Sequence, residues 1–188
     1  WQFGEEYESQ NHLDADQPLP EWLSDLQPEK LSAKCLSDAV ANVRDYGWAH
    51  HIQRLMVLGN HSLQRGYDPK RTNDWFIDAF VDGTPWVMPA NVIGMTLYAD
   101  GGAMSTKPYA AGGAYINRMS NYCGDCPFDP KKRLGEDACP FTAGYWSFMD
   151  KNQEKFKGNF RMSNPLSSLR RLSDVREVSA QERARDSF

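Results

Sequence analysis

The order of apolar and polar residues along the chain predicts a series of helices. From Ser32, a candidate N-cap, to about Tyr46, apolar residues recur at the spacing of one helix face. Gly47 is expected to end this helix, because glycine readily takes the left-handed backbone found at helix C-termini. The next helix is predicted from about Ala49 to Gln64. It is apolar on more than one side, which is typical of a buried helix.

Further helices are predicted between segments rich in proline and glycine. Gly66 and Pro69 interrupt the pattern, and Pro85 and Pro89 interrupt it again. The remaining helices are predicted at 72–81, 91–98, 115–122, 140–156 and 175–185. Residues 103–113 are predicted to form a loop. No period-two alternation and no internal repeat is found, so the predicted fold class is all-α.

Residues 1–31 differ from the rest, being polar, aromatic and interrupted by prolines. They are predicted to be a lead-in with little regular structure, and residues 32–188 to be one helical domain. The chain begins with Trp1 and shows no signal-peptide pattern, so we expect it to be a piece of a longer protein.

Composition and charge narrow the class of protein. A hydrophobic fraction of 40% is ordinary for a globular domain, and no apolar run approaches the ~18–20 residues of a membrane span. The formal net charge of −4 argues against a domain that coats nucleic acid by bulk electrostatics. It leaves room for a local basic groove in the second half of the chain.

Cysteines provide the first candidate chemistry. Cys123 and Cys126 form a C-x-x-C pair, Cys139 stands directly before a proline, and Cys35 lies far upstream. The spacing is compatible with an iron–sulfur cluster, because a Cys-Pro end occurs in ferredoxin-type loops. Zinc is the runner-up, because C-x-x-C pairs serve it equally well. Unligated thiols or disulfides are the third interpretation, and disulfides are less favoured because no secretory context is visible and Cys35 lies in a predicted helix. With either metal, the simplest role is structural.

Residues 47–55 provide the second group of candidate functional residues. His50, His51 and Arg54 stand on an otherwise apolar helix, where adjacent residues point about 100° apart. The two histidines therefore cannot face one small site equally. Arg54 shares the face of His51 and needs a carboxylate partner if buried; Asp82 is the best-placed candidate. A structural Arg–Asp pair with satisfied core histidines is the alternative interpretation.

Several segments carry a family resemblance. GWAHHIQRLMVLG, followed by DWFIDAFVDGTPWVMPANVIGM, resembles the flavin-binding core of the photolyase and cryptochrome superfamily. MSTKPYAAGGAYINRMSNYC and GEDACPFTAGYW, with the four cysteines, are similar to its iron–sulfur bacterial members, the prokaryotic (6-4) photolyase group. The resemblance runs from about Pro18 to Arg161. It covers only the C-terminal part of such a protein, without the N-terminal α/β antenna domain.

The resemblance implies a helical FAD-binding domain with a 4Fe-4S cluster. The implied cluster ligands are Cys35, Cys123, Cys126 and Cys139. The implied flavin-binding residues are Arg54, Asp82, Gly83, Met88 and Asn91. A ribityllumazine antenna chromophore is expected in the missing N-terminal domain.

The resemblance also implies roles in repair. His51, with His50 beside it, would donate a proton as an electron arrives from excited reduced FAD, and imidazole suits this because its pKa lies near neutrality. The damaged bases would be flipped out of the DNA stack. Trp75 would belong to the aromatic relay that re-reduces the flavin.

The chain departs from the family pattern at three positions. Phe76 stands where relatives often carry Tyr, and it has no phenolic proton to lose. The family's Trp before Cys35 has no clean match, although Trp22 is nearby. Met88 stands where some members place a carboxylate toward the flavin. These departures concern the photoreduction route more than the fold.

The expected function is light-driven repair of (6-4) photoproducts in UV-damaged DNA. The alternatives are a blue-light sensor of the same fold, or a metal-stapled helical module that binds nucleic acid or protein. We expect a cytoplasmic monomer with no membrane association.

Overall fold

The computed structural model describes residues 4–188. Within this range there is no strand, only two isolated β-bridges, so the predicted all-α class is confirmed. The helices are α1 (Glu21–Ser24), α2 (Lys34–Tyr46), α3 (His51–Gln53, Arg54–Gly59 and Asn60–Arg65), α4 (Pro69–Ala79), α5 (Ala90–Thr96), α6 (Gly113–Met119), α7 (Pro140–Asn152), α8 (Ser163–Leu169) and α9 (Val175–Ala184). Short 3-10 turns occupy Glu5–Ser9, Pro28–Lys30, Tyr122–Gly124 and Phe160–Met162.

The centre of the core is formed by α2, α3 and α7. Helix α7 packs against α9 and the last part of α3, and α2 packs against the middle of α3. Phe141 and Met149 of α7, Leu58 of α3 and Leu36 of α2 are fully buried. Helix α3 therefore has neighbours on several sides, as its apolar residues predict.

Helix α2 follows its predicted pattern except at its start. The apolar face is buried through its whole length, with Leu36, Ala39, Val40 and Val43 inside. Gly47 ends the helix with φ 58°, as predicted. The prediction of Ser32 as N-cap is wrong: the N-cap is Ala33, and the backbone N–H of Ser32 donates to the carbonyl of Phe188.

Helix α3 begins two residues later than predicted and is not uniform. His50 is its N-cap, and the middle part, Arg54–Gly59, is a π-helical turn. A π turn adds a residue to the helical repeat, so apolar spacing alone does not reveal it. Gly66 then ends the helix with φ 70°.

Helices α4 and α5 correct two further predictions. Pro69 opens α4 instead of breaking the pattern, because Asp68 caps the helix by accepting the backbone N–H of Arg71 at 2.8 Å. Helix α5 is a π-helical segment, and it ends at Thr96 instead of residue 98.

Smaller differences occur elsewhere. Helix α6 begins at Gly113, α7 ends at Asn152, and α8 was not predicted. Residues 1–3 of the predicted lead-in lie outside the described residues, and the rest carries three helical turns and buries Trp22 and Leu23. None of the helices described has the length and apolar character that crossing a membrane requires.

Candidate functional site: an open histidine pocket beside a four-cysteine cavity

A pocket of about 630 Å³, counting its open mouth, lies between α3, α4 and α5. We call it the histidine pocket. Its lining comprises His51, Arg54, Leu55, Phe76, Asp82, Val87, Met88, Asn91, Val92, Met95 and Thr96. Five of the seven residues assigned to catalysis or flavin binding from the sequence therefore meet in one place.

The predicted ion pair is present at this pocket. Arg54 Nη1 donates to Asp82 Oδ1 at 2.8 Å, and Arg54 Nε donates to the carbonyl of Ala49 at 2.7 Å. The guanidinium also lies 4.3 Å from the ring centre of Phe80. These contacts fix the arginine in place, while Asp82 stays half-exposed. The hydrogen bond from Arg54 holds the pKa of Asp82 below its ordinary value.

The two histidines face different cavities, as their adjacent positions predict. Both are exposed, so the alternative of satisfied core histidines is wrong. His51 lines the histidine pocket, whereas His50 lines a second opening, which we call the side cavity. The side cavity is lined by His50, Ile52, Gln53, Met56, Val57, Tyr115, Ile116, Met119, Ser120 and Tyr122.

The two π-helical segments form one wall of the histidine pocket. They touch so closely that a Cβ on Gly59 would lie 2.2 Å from Thr96 Cγ2. Within α5, Thr96 Oγ1 donates to the carbonyl of Asn91 at 2.7 Å. π turns occur frequently at functional sites, where they re-aim side chains that a regular helix would bury.

Gly83 and Trp75 do not line the histidine pocket. A Cβ on Gly83 would lie 2.3 Å from the carbonyl oxygen of Ile77, so glycine is required for the turn that carries Asp82. Trp75 is buried, and among the described residues its indole N–H has no partner. Its ring lies 5.0 Å from Phe76, which does line the pocket.

Phe80 is a site residue that sequence reasoning missed. Its ring stacks on Phe76 at 5.3 Å and supports the Arg54 guanidinium. The available signal was its position two residues before Asp82, within reach of the same arginine.

All four cysteines line one cavity, which we call the cysteine cavity. None of them is in a disulfide. Its other walls are mostly apolar, formed by Ala33, Gly113, Ile116, Tyr122, Phe128, Pro140 and Phe141. Burial, together with the neighbouring thiols, raises the pKa of Cys35 far above its ordinary value and that of Cys123 to about 11. These shifts favour the neutral thiols, and a thiolate in this cavity would require a compensating cation.

The lining of this cavity can be compared with what two metal centres require, a zinc ion and an iron–sulfur cluster. A tetrahedral zinc ion with Zn–S bonds of ~2.3 Å holds its sulfurs about 3.8 Å apart. Among the described residues, no group of three or more His, Cys, Asp or Glu is arranged to hold a metal ion. Four thiols lining one apolar space are a donor set that zinc and an iron–sulfur cluster both use. Gly113 keeps this space open, since a Cβ there would lie 2.6 Å from Cys139 Sγ.

The fold and these two sites define an all-helical domain with an open pocket that carries an Arg–Asp pair and a cavity lined by four thiols. No family model matches the chain. A protein described as a (6-4) photolyase from Agrobacterium fabrum is 45% identical over 179 residues, which is 94% of this chain and 34% of that protein. An uncharacterised protein of Acanthamoeba polyphaga mimivirus is 36% identical over 103 residues, 55% of this chain and 76% of that protein.

The chain belongs to the photolyase group and corresponds to the C-terminal, helical part of its members. It spans about a third of the length of the Agrobacterium relative.

Proposed function

We propose that this chain is the C-terminal, catalytic part of a DNA photolyase that repairs (6-4) photoproducts in UV-damaged DNA with FAD and a 4Fe-4S cluster. One observation carries the proposal: His51, the Arg54–Asp82 pair, Met88 and Asn91 line a single open pocket. The (6-4) photolyase of Agrobacterium fabrum, which is 45% identical to this chain over 179 residues, supports it.

The residues of the histidine pocket suit a flavin. Arg54 and Asp82 present a charge pair whose cation is 15% exposed and rigidly held. Such a pair orients a planar ring and stabilises negative charge on it. Asn91 and Met88 would contact the ring edge, and Gly83 would shape the turn beside it. Bound FAD supplies the electron for repair when it absorbs light.

His51 is proposed to be the proton donor, with His50 beside it. Histidine is the commonest general acid in enzymes, and the His51 side chain is exposed at the pocket. Its place in the first turn of α3 keeps it close to Arg54 while leaving it open to a flipped-out base.

The thiolates of Cys35, Cys123, Cys126 and Cys139 are proposed to hold the cluster. The cavity joins α2 to the loop before α7, so the cluster would tie distant parts of the chain together. Trp75 is proposed to pass electrons toward the flavin pocket, with Phe76 beside it as a non-titrating contact. The ribityllumazine antenna, the monomeric state and the cytoplasmic location stay predictions.

The experiment is repair of a defined (6-4) oligonucleotide under blue light by the intact protein. His51→Ala is expected to lower the repair rate at least ~100-fold while flavin and iron contents stay unchanged, because only the proton donor is lost. His12→Ala, an exposed histidine outside the pocket, is the matched control and should repair at the wild-type rate. Wild-type repair by His51→Ala would contradict the assigned role. Flavin binding without repair by the wild-type protein would favour the light-sensor alternative.

A further inference from the structure

A hydrogen bond connects the first turn of α3 to the wall of the cysteine cavity. Gln53 Nε2 donates to the hydroxyl oxygen of Tyr122 at 2.6 Å. Tyr122 stands directly before Cys123 and lines the cysteine cavity, and it also lines the side cavity with His50. The bond joins two segments 69 residues apart in the chain.

The oxygen of the same Gln53 side-chain amide binds the backbone of His50. Gln53 Oε1 accepts the backbone N–H of His50 at 3.0 Å, and His50 Nδ1 accepts the backbone N–H of Ile52 at 3.2 Å. These two bonds form a reciprocal capping box at the start of α3. The amide serves both partners in one orientation, with its oxygen toward His50 and its NH₂ group toward Tyr122.

The first turn of α3 depends on this cap. His50 and His51 are exposed, and the first N–H groups of a helix have no partner within the helix. Tyr122 is partly buried, with its ring against the core and its neighbour Cys123 at the cavity. Its hydroxyl is therefore placed by the cavity wall, while the histidine turn is placed by Gln53.

We propose that Gln53 and Tyr122 are positioning residues that make the placement of His50 and His51 depend on a filled cysteine cavity. A cluster held by Cys123 fixes the turn at residues 122–124, the Tyr122 hydroxyl fixes the Gln53 amide, and the amide fixes the backbone of His50. The inference rests on the cluster and the histidine role proposed above. It adds a physical connection between the two sites and names the residues that form it.

The direct readout is amide hydrogen exchange at His50 in the intact, iron-loaded protein, because that amide proton donates to Gln53. Tyr122→Phe removes the hydroxyl and keeps the ring. We expect exchange at His50 to become about fivefold faster, the usual scale for losing one hydrogen bond, with the visible absorption of the cluster unchanged. Tyr46→Phe, an exposed tyrosine on α2, is the matched control and should leave exchange at His50 unchanged.

Two variants at Gln53 separate positioning from general destabilisation. Gln53→Glu keeps an acceptor for the His50 N–H and can accept the Tyr122 O–H, so exchange should stay close to that of the wild type. Gln53→Ala loses both contacts and should exchange at least as fast as Tyr122→Phe.

Removing iron from the cysteine cavity tests whether the state of the cavity controls amide exchange at His50. Removing iron with a chelator should speed exchange at His50 in the wild type but add little in Tyr122→Phe, because the connection is already cut. Equal exchange at His50 in loaded wild type and loaded Tyr122→Phe overturns the inference, as does an acceleration by iron removal that persists in the variant. A protein that never binds iron contradicts the proposed function as well, so the two failures are distinguishable.

Discussion

The cysteine cavity and the histidine pocket use similar helices in opposite ways. The cavity is apolar and the more enclosed of the two, and two of its four cysteines, Cys35 and Cys139, are buried. The pocket is open, and its ion pair joins a well-covered Arg54 to an Asp82 whose side chain is 54% exposed. This difference predicts that the cysteine cavity holds the fold together and that the histidine pocket meets a ligand. Mutations in the cysteine cavity should therefore affect folding, and mutations in the histidine pocket should affect ligand binding.

Cys35→Ser is expected to give the largest effect. Serine binds iron weakly, and the energy of metal binding in such a site is also folding energy. We expect a loss of at least ~3 kcal/mol in the free energy of unfolding, or no soluble protein at all. Iron content and urea unfolding of the intact protein measure it. Asp82→Asn is the control and should keep its iron; a folded Cys35→Ser protein with unchanged cluster absorption would contradict the ligand assignment.

Gly113→Ala tests the cavity without replacing a cysteine. The new Cβ would lie 2.6 Å from Cys139 Sγ and 3.1 Å from Pro130 Cα, so we expect a loss of about 2 kcal/mol and reduced iron content. Gly112→Ala is the matched control, because its Cβ would meet nothing closer than 3.5 Å. Equal iron binding by the two variants would show that the cavity tolerates crowding.

Arg54→Lys tests whether the Arg54 guanidinium contacts a flavin in the histidine pocket. Lysine keeps the charge but loses the bond to the carbonyl of Ala49 and the planar contact with Phe80. We expect flavin affinity to fall about tenfold, with iron content unchanged. Fluorescence titration of the flavin-free protein with FAD measures it. Arg44→Lys, a surface arginine on α2, should bind FAD normally; unchanged affinity in Arg54→Lys would argue against contact with the flavin.

Acid pH should produce the smallest effect, at Asp82. Its pKa is held below the ordinary 3.8 by the hydrogen bond from Arg54, so the carboxylate stabilises the fold fully above that pH. This contribution is lost as the pH falls through the lower, folded-state pKa. Because the side chain is largely exposed, we expect no more than about 0.5 kcal/mol. Urea unfolding of wild type and Asp82→Asn should differ near neutral pH and converge at strongly acid pH; a difference that persists there would exclude this origin.

Regular helices were predictable because one period describes them. The buried face of α2 and the glycine at its end follow from the positions of Leu36, Val43 and Gly47. Pro69 was misinterpreted as a breaker because its effect depends on the cap that Asp68 provides in front of it. The α3 start was misplaced for a similar reason, since His50 is an unusual capping residue and Gln53 completes its cap.

The site was predictable where charge demanded a partner. Arg54 on an apolar helix required a carboxylate partner, and in the structure Asp82 is that partner. The part that Phe80 plays at the site was not predictable, since aromatic residues about one helical turn apart, as Phe76 and Phe80 are, usually indicate only core packing. The hydrogen bond of Gln53 to Tyr122 spans 69 positions and leaves no local pattern in the sequence.

The π turn at Arg54–Gly59 constrains the number of residues in this helix. One extra residue within a helix shifts everything beyond it by about 100° around the axis. The end that bears His51 and the end that bears Leu63 are thus set at an angle that an uninterrupted spiral cannot provide. Deleting a single amino acid there would rotate one end against the other, so chain length across this stretch is as constrained as any side chain it carries.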